Sequence, residues 1–95
     1  MFIVLLKFSD NKDRAGQFME GHKTWIDRGF DDDVFVLAGS IQPGLGGAIL
    51  AHNTSHEDLI DRVNNDPFVS ENVVSAEIIE IEPSRIDTRV EFLGE

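Results

Sequence analysis

The fold of this chain is organised around the segment AGQFMEGHKTWI, which spans residues 15–26. Its apolar residues recur at intervals of three and four, the period of an amphipathic α-helix. The resulting apolar stripe consists of Ala15, Phe18, Met19, His22, Trp25 and Ile26. An imidazole within such a stripe needs a polar partner. His22 is therefore either a satisfied histidine of the core or a chemical group at the edge of a cleft.

Four apolar segments around this helix predict β-strands. They comprise residues 2–8, 34–41, 48–51 and 73–83. The second and third are separated by a glycine-rich turn and read as a hairpin. With two helices, the order of elements is βαββαβ, which predicts an α+β fold: a ferredoxin-like sandwich with an antiparallel sheet and both helices on one face.

The ends of the helices carry recognisable signals. Asp10 or Asn11 is expected to cap the first helix, which should end near residue 28 because Gly29 follows. Thr54, with Glu57 three residues later, predicts a capping box at the start of the second helix. That helix should end at residues 64–66, before Pro67.

The first two predicted strands are apolar on both faces. In the first strand, one face carries Phe2, Val4, Leu6 and Phe8 and the other carries Ile3 and Leu5. In the second strand, one face carries Val34, Val36 and Ala38 and the other carries Phe35 and Leu37. Two helices can cover only one face of a four-stranded sheet. Because the other face would expose a continuous apolar patch, we expect a homodimer packed sheet against sheet.

Composition narrows the class of protein. A chain of 95 residues predicts a single domain, with a core over residues 2–83 and a tail over residues 84–95. Alternation of Thr88, Val90 and Phe92 in the tail suggests one more edge strand.

The formal net charge of −10 makes nucleic acid and anionic membranes poor partners. The short apolar run before Lys7 matches neither a signal peptide nor a membrane span, so a cytoplasmic protein is expected.

The chain contains no cysteine and no tyrosine, so thiolate chemistry and cysteine-based metal sites are excluded. His22 is the best placed of the remaining groups, since a carboxylate on one ring nitrogen would orient the other as a general acid or base. Asp66, at a predicted helix end beside Pro67, is the candidate partner. Spacing alone leaves the other acids open and also permits the plain reading of Asp66-Pro67 as a helix stop.

The chain resembles the YciI-like (YCII-related) proteins. The resemblance rests on the histidine of the first helix, on Ala38-Gly39-Ser40 and on Asp66-Pro67-Phe68-Val69, and it covers residues 2–83 in order and spacing. It implies a dimeric α–β barrel of ferredoxin-like protomers with a histidine–aspartate pocket, which carries over to His22 and Asp66. The reaction attached to such proteins is removal of chloride from a chlorinated hydroxyquinol, with no cofactor.

The resemblance thus implies a lyase or isomerase acting on a small oxygenated, aromatic molecule. His22 would move the proton and Asp66 would orient its ring. The expected substrate-binding residues are Trp25, Gly39, Ser40 and Phe68. Many family members have arginine where this chain has Met19, and proline where it has Ser40, so substrate identity does not carry over.

Other interpretations stay open at this stage. The same pocket could belong to a non-catalytic ligand-binding or accessory dimer, or the domain could be purely structural. His52 and His56 are four residues apart, but His52 precedes the capping box, so the two do not share a helix face and no metal site is expected. Residues 31–33 are three aspartates that lack the spaced ligands of a calcium loop and read as a solvated loop.

Overall fold

A computed structural model, which describes residues 1–94, has a four-stranded antiparallel sheet with the order β2-β3-β1-β4. The strands are β1 (Phe2–Phe8), β2 (Phe35–Ile41), β3 (Gly46–Ala51) and β4 (Val74–Glu80). The helices are α1 (Ala15–Asp31), α2 (His56–Asn64) and the short α3 (Pro67–Ser70). Helical turns of the 3-10 type span Lys12–Arg14 and Thr88–Gly94. The predicted ferredoxin-like α+β fold is confirmed.

The core lies between one face of the sheet and the helices. Phe2, Val4 and Leu6 of β1 are buried on this face, where Val4 stands opposite Ile49 and Ile78 on the neighbouring strands. The helical side of the core is formed by Trp25, Leu59, Val63 and Phe68. The alternate residues of β1 thus pack against the residues that recur every three or four positions in α1 and α2, as the sequence predicts.

The opposite face of the sheet carries no helix. Its apolar side chains are Ile3, Leu5, Leu37, Leu50 and Ile79, which follow one another across the four strands through the pairs of the register. Leu37 is 56% exposed and Ile79 is 39% exposed. An apolar surface of this kind, running across the sheet, is typical of an interaction face.

The predicted alternation of side chains between the two faces of the second strand is wrong from the bulge after Phe35 onward. A bulge between Phe35 and Leu37 shifts the register, so Phe35 pairs with Ala51 while Ala38 pairs with Ile49. Phe35 and Ala38 therefore face the helices together, although the sequence pattern assigned them to opposite faces. The extra residue of a bulge changes which side chains share a face, and a plain period of two does not reveal it.

Helix α1 is predicted to end near residue 28, with Gly29 just beyond it, but it continues to Asp31. Gly29 is buried and serves close packing instead, since a Cβ placed there would lie 2.0 Å from the Phe35 ring. The aromatic ring occupies the space that any other side chain would need. Gly29 is thus required by the contact between α1 and β2, and its signal resembles that of a helix end.

Both predicted caps are also different. A 3-10 turn precedes α1, and the Asn11 side chain donates to the Glu71 carbonyl and does not cap the helix. In α2 the cap is Ser55, one residue after the predicted Thr54, and its hydroxyl accepts from the Asp58 backbone N–H. Helix α2 ends at Asn64, close to the predicted position.

The tail does not add an edge strand. Residues 88–94 form 3-10 turns, and Leu93 is buried at 8% exposure. The turn is favoured by Asp87, whose side chain accepts from the Arg89 backbone N–H. Phe92 packs edge-on against His52, which follows β3. The described part of the tail therefore covers the end of β3, while residue 95 of the predicted tail lies outside the described residues.

None of the described helices is both long enough and apolar enough to span a bilayer.

Candidate active site

Asp66 is placed by the junction of two helices. It follows the end of α2 and is the N-cap of α3, where its Oδ1 accepts from the Phe68 backbone N–H at 3.0 Å. Pro67 occupies the first turn of α3, where its missing N–H costs no hydrogen bond. These local interactions hold the carboxylate in a fully buried position, with 0% of the residue exposed.

The same carboxylate oxygen contacts His22 from α1. His22 Nδ1 lies 2.8 Å from Asp66 Oδ1, and the histidine side chain is 14% exposed. Because a carboxylate only accepts hydrogen bonds, Nδ1 carries the proton that it donates. In the neutral ring Nε2 is then the unprotonated nitrogen, with no hydrogen-bond partner among residues 1–94.

Two aromatic rings fix the plane of the imidazole. Phe68 stacks on His22 with ring centroids 4.0 Å apart and an angle of 4° between the planes. Trp25 lies on α1 one turn away, at 5.9 Å and 23°. Hydrogen bonding at Nδ1 and stacking on the ring face together leave the imidazole little freedom to rotate.

Asp66 Oδ2 is buried and has no hydrogen-bond partner in the described part of the chain. All of the carboxylate's polar contacts are therefore made through Oδ1, to His22 and to the Phe68 backbone. A buried carboxylate with so few partners depends strongly on each of them.

A cavity of about 350 Å³ opens beside His22, between α1 and the sheet. Most of its lining is apolar, and His22, Lys23 and Ser40 supply the polar side chains. The remaining lining side chains and backbone come from Leu6, Phe8, Met19, Ile26, Ala38, Gly39, Gly46, Gly47, Ala48, Ile49, Phe68 and Val74. A concave apolar site with a few convergent polar groups is typical of small-ligand binding.

The structure places some of the predicted site residues on this cavity and others away from it. His22, Gly39, Ser40 and Phe68 lie on this cavity, while Asp66 lies directly behind His22. Trp25 was expected to form a pocket wall, but it does not line this cavity. Trp25 is 7% exposed, its ring packs in the core against Phe35, and its indole N–H donates to the Arg62 carbonyl at 2.8 Å. The helical spacing correctly placed Trp25 and His22 on one stripe of α1. It did not predict that the cavity borders His22 and not Trp25.

Lys23 is a polar lining residue that was absent from the predicted site. Considered alone, it is an ordinary exposed lysine on an amphipathic helix. The signal lies in its spacing from Met19 and Ile26, at four and three residues, which places all three beside His22 on one side of α1.

The other histidines lie elsewhere. His52 follows β3 and packs on Phe92, whereas His56 begins α2 and stacks on Phe2. Within residues 1–94, no group of three or more histidine, aspartate or glutamate side chains is arranged to hold a metal ion. The three aspartates at 31–33 end α1 and lead into β2, with Asp32 paired to Arg62.

The chain shares its fold with a solved enzyme. That protein is the 5-chloro-2-hydroxyhydroquinone dehydrochlorinase of Burkholderia phenoliruptrix AC1100, solved with 2,5-dihydroxybenzoquinone. The two superpose with a TM-score of 0.68 at 11% sequence identity, over 85% of this chain and 93% of that one. No protein-family model and no curated protein sequence matches the chain. At this identity the likeness extends to the fold alone.

Proposed function

We propose that the chain is a YciI-like enzyme that works without a cofactor and uses His22 and Asp66 for acid/base chemistry. The reaction is of the lyase or isomerase type, and the substrate is a small oxygenated, aromatic molecule. One observation carries the proposal: the Nδ1 atom of His22 is 2.8 Å from a fully buried carboxylate while the same ring lines an open cavity. A purely structural histidine has no need of the cavity.

The geometry suggests how each group would act. Asp66 holds the proton on Nδ1, so Nε2 is free to take a proton from a hydroxyl group or from a carbon next to a carbonyl. In an elimination, the electron pair of the broken O–H or C–H bond moves into the substrate and expels a leaving group such as chloride as an anion, while the proton stays on the imidazolium. In an isomerisation, the imidazolium returns the same proton to another atom of the substrate. Such assistance contributes ~10²–10⁴-fold in rate.

Ser40 and Gly39 would bind the oxygen of the substrate. Both lie on the cavity across from α1, on β2. The Ser40 hydroxyl can donate to a carbonyl or phenolate oxygen and can also accept from a hydroxyl. Phe68 would serve both as the support for the His22 ring and as an apolar wall for the substrate.

Two further lines of evidence support the proposal. The resemblance to YciI-like proteins arises from His22, from residues 38–40 and from residues 66–69, and these three segments border the same cavity or its buried carboxylate. The structural neighbour is a dehydrochlorinase that acts on a hydroxylated ring, which is the same class of chemistry. Fold likeness alone is weak evidence of function, so the site residues carry the greater weight.

The proposal includes a homodimer formed through the sheet faces. The apolar residues Ile3, Leu5, Leu37, Leu50 and Ile79 lie on the face without helices. Packing two such faces together would remove this surface from water and complete a dimeric α–β barrel. The cytoplasmic location stays a prediction from the sequence.

Hydroxylated and chlorinated aromatic compounds provide the test. Binding is measured by thermal shift, and turnover by chloride release and by exchange of carbon-bound hydrogens in D₂O. The His22→Gln and Asp66→Asn variants should retain folded circular dichroism spectra and lose ~10²–10⁴-fold in turnover. His56→Gln, at an exposed histidine that begins α2 and does not line the cavity, is the control and should retain full turnover.

Each outcome has a distinct meaning. Turnover that persists in His22→Gln at the wild-type rate would refute the acid/base role. Binding that depends on His22, with no turnover of any compound in the series, would favour the non-catalytic ligand-binding dimer.

A further inference from the structure

The cavity beside His22 has an unusual charge for this chain. The sequence has 18 aspartate and glutamate residues against 8 lysine and arginine residues. Despite this excess of acids, no carboxylate lies on the described lining, and Lys23 is its single charged side chain. Asp66 lies behind His22, but it is fully buried and hydrogen-bonded to that histidine. The cavity thus presents a positive charge on a strongly negative protein.

Lys23 is also free to bind a ligand. Arg62 is paired with Asp32 and Arg89 with Asp87, but Lys23 forms no ion pair with any residue in 1–94. Its side chain is exposed, so its ammonium group can reach the cavity mouth while the stem packs along the apolar lining.

A second lysine, Lys12, packs on one of the residues that line the cavity. The Lys12 Nζ atom lies 4.8 Å from the centre of the Phe8 ring, and Phe8 is itself part of the lining. Lys12 lies in the 3-10 turn before α1 and Lys23 lies within α1, so one lysine contacts a lining residue and the other is a lining residue itself. A local positive field on a protein of net charge −10 attracts small anions in preference to the surrounding surface.

We propose that Lys23 selects singly charged anionic rings, in which a carboxylate or phenolate oxygen binds the ammonium group and the ring fills the apolar cavity. This inference rests on the proposed function of the cavity as a ligand site. A volume of about 350 Å³ suits a compound with one ring. His22 and Lys23 both line this cavity, so an anion bound by the lysine would place the ring in the cavity that His22 also lines.

Matched ligands test the proposal without the need for turnover. 4-Hydroxybenzoate and 4-hydroxybenzamide have nearly the same shape and differ by one charge, and their binding is followed by NMR titration of ¹⁵N-labelled protein at pH 7.5. The wild type should bind the benzoate about tenfold more tightly than the benzamide. Lys23→Gln should remove that preference, Lys23→Arg should retain it, and 0.5 M NaCl should reduce it.

Arg28→Gln is the control for net charge. Arg28 also lies on α1 and is exposed, but it borders a different groove with Trp25 and Asp32. Its loss should leave the preference for the benzoate unchanged. Equal effects of Arg28→Gln and Lys23→Gln would show a general charge effect and overturn the role of Lys23.

The remaining outcomes separate the role of Lys23 from the proposed reaction. Equal binding of the two ligands to wild type, or no binding of the benzoate at 10 mM, contradicts selection by Lys23 and leaves the acid/base role of His22 to be judged by turnover. Conversely, a Lys23-dependent preference for the benzoate in a protein without turnover upholds this inference while the proposed reaction fails.

Discussion

The ring of His22 lies flat against the ring of Phe68, with centroids 4.0 Å apart and planes within 4° of parallel. Phe68 also supplies the backbone N–H that binds Asp66 Oδ1. One residue of α3 therefore contacts both members of the histidine–aspartate pair, the ring through its face and the carboxylate through its N–H. The site depends on the short helix α3 as much as on α1.

Phe68→Leu should lower the free energy of unfolding by about 1 kcal/mol and also loosen the His22 ring. The measurements are chemical denaturation and the ¹H and ¹⁵N NMR signals of the His22 side chain. Phe2→Leu is a matched control, because Phe2 and Phe68 are both 5% exposed, and Phe2 stacks on His56. An equal effect of both substitutions on the His22 signals would contradict a specific role for Phe68.

Gly29→Ala should destabilise the protein by about 1–3 kcal/mol, because the new methyl group would overlap the Phe35 ring. Gly16→Ala in the same helix has nothing within 4 Å of the added Cβ and should stabilise by about 0.5–1 kcal/mol through helix propensity. Thermal unfolding of the two variants measures the difference. Similar stability changes of the same sign would show that the Gly29–Phe35 contact does not limit packing.

His52→Leu should raise the free energy of unfolding by about 1 kcal/mol, since the buried Nε2 atom of His52 has no hydrogen-bond partner among the described residues. An apolar side chain would retain the contact with Phe92 and remove the unpaired nitrogen. His56→Leu, at an exposed histidine, should change stability by no more than about 0.5 kcal/mol. A loss of more than 1 kcal/mol in His52→Leu, measured by urea denaturation, would show that the His52 imidazole forms a stabilising interaction and would contradict this prediction.

Ile79→Lys should convert the proposed dimer into a monomer. Ile79 is 39% exposed on the sheet face without helices, and a charge there would be buried on dimerisation. Ile60→Lys is the matched control, because Ile60 is 38% exposed but lies on α2. Sedimentation velocity at micromolar concentration should give a dimer for wild type and Ile60→Lys. A monomeric wild type would contradict the dimer itself.

The fold could be predicted because its periods are local. Alternation in β1 and the three–four spacing in α1 each specify one buried face, and the order of elements then favours the ferredoxin-like arrangement. The incorrect predictions involve contacts between residues that lie in different elements of the chain. Gly29 resembles a helix end until Phe35 is seen against it, and the bulge after Phe35 is visible only in its pairing with β3.

The site was predicted in part, for a similar reason. Periodicity singled out His22. The position of Asp66 at a predicted helix end beside Pro67, and then the resemblance to YciI-like proteins, made Asp66 its candidate partner, which the fold brings to 2.8 Å from it. None of these could show that Trp25 turns into the core while Lys23 turns to the cavity. That distinction depends on where the sheet and α1 diverge, which is a property of the packed molecule.

The central claim is that Asp66 holds the proton of His22 on Nδ1 and leaves Nε2 as a base toward the cavity. Long-range ¹H–¹⁵N NMR of the histidine side chains, at a pH where His22 is neutral, measures this directly. The predicted result is a protonated Nδ1 and an unprotonated Nε2 in wild type, with Nε2 shifting when an aromatic ligand binds and the preference for this tautomer lost in Asp66→Asn. A wild-type spectrum in which Nε2 carries the proton, or one that Asp66→Asn leaves unchanged, would contradict it.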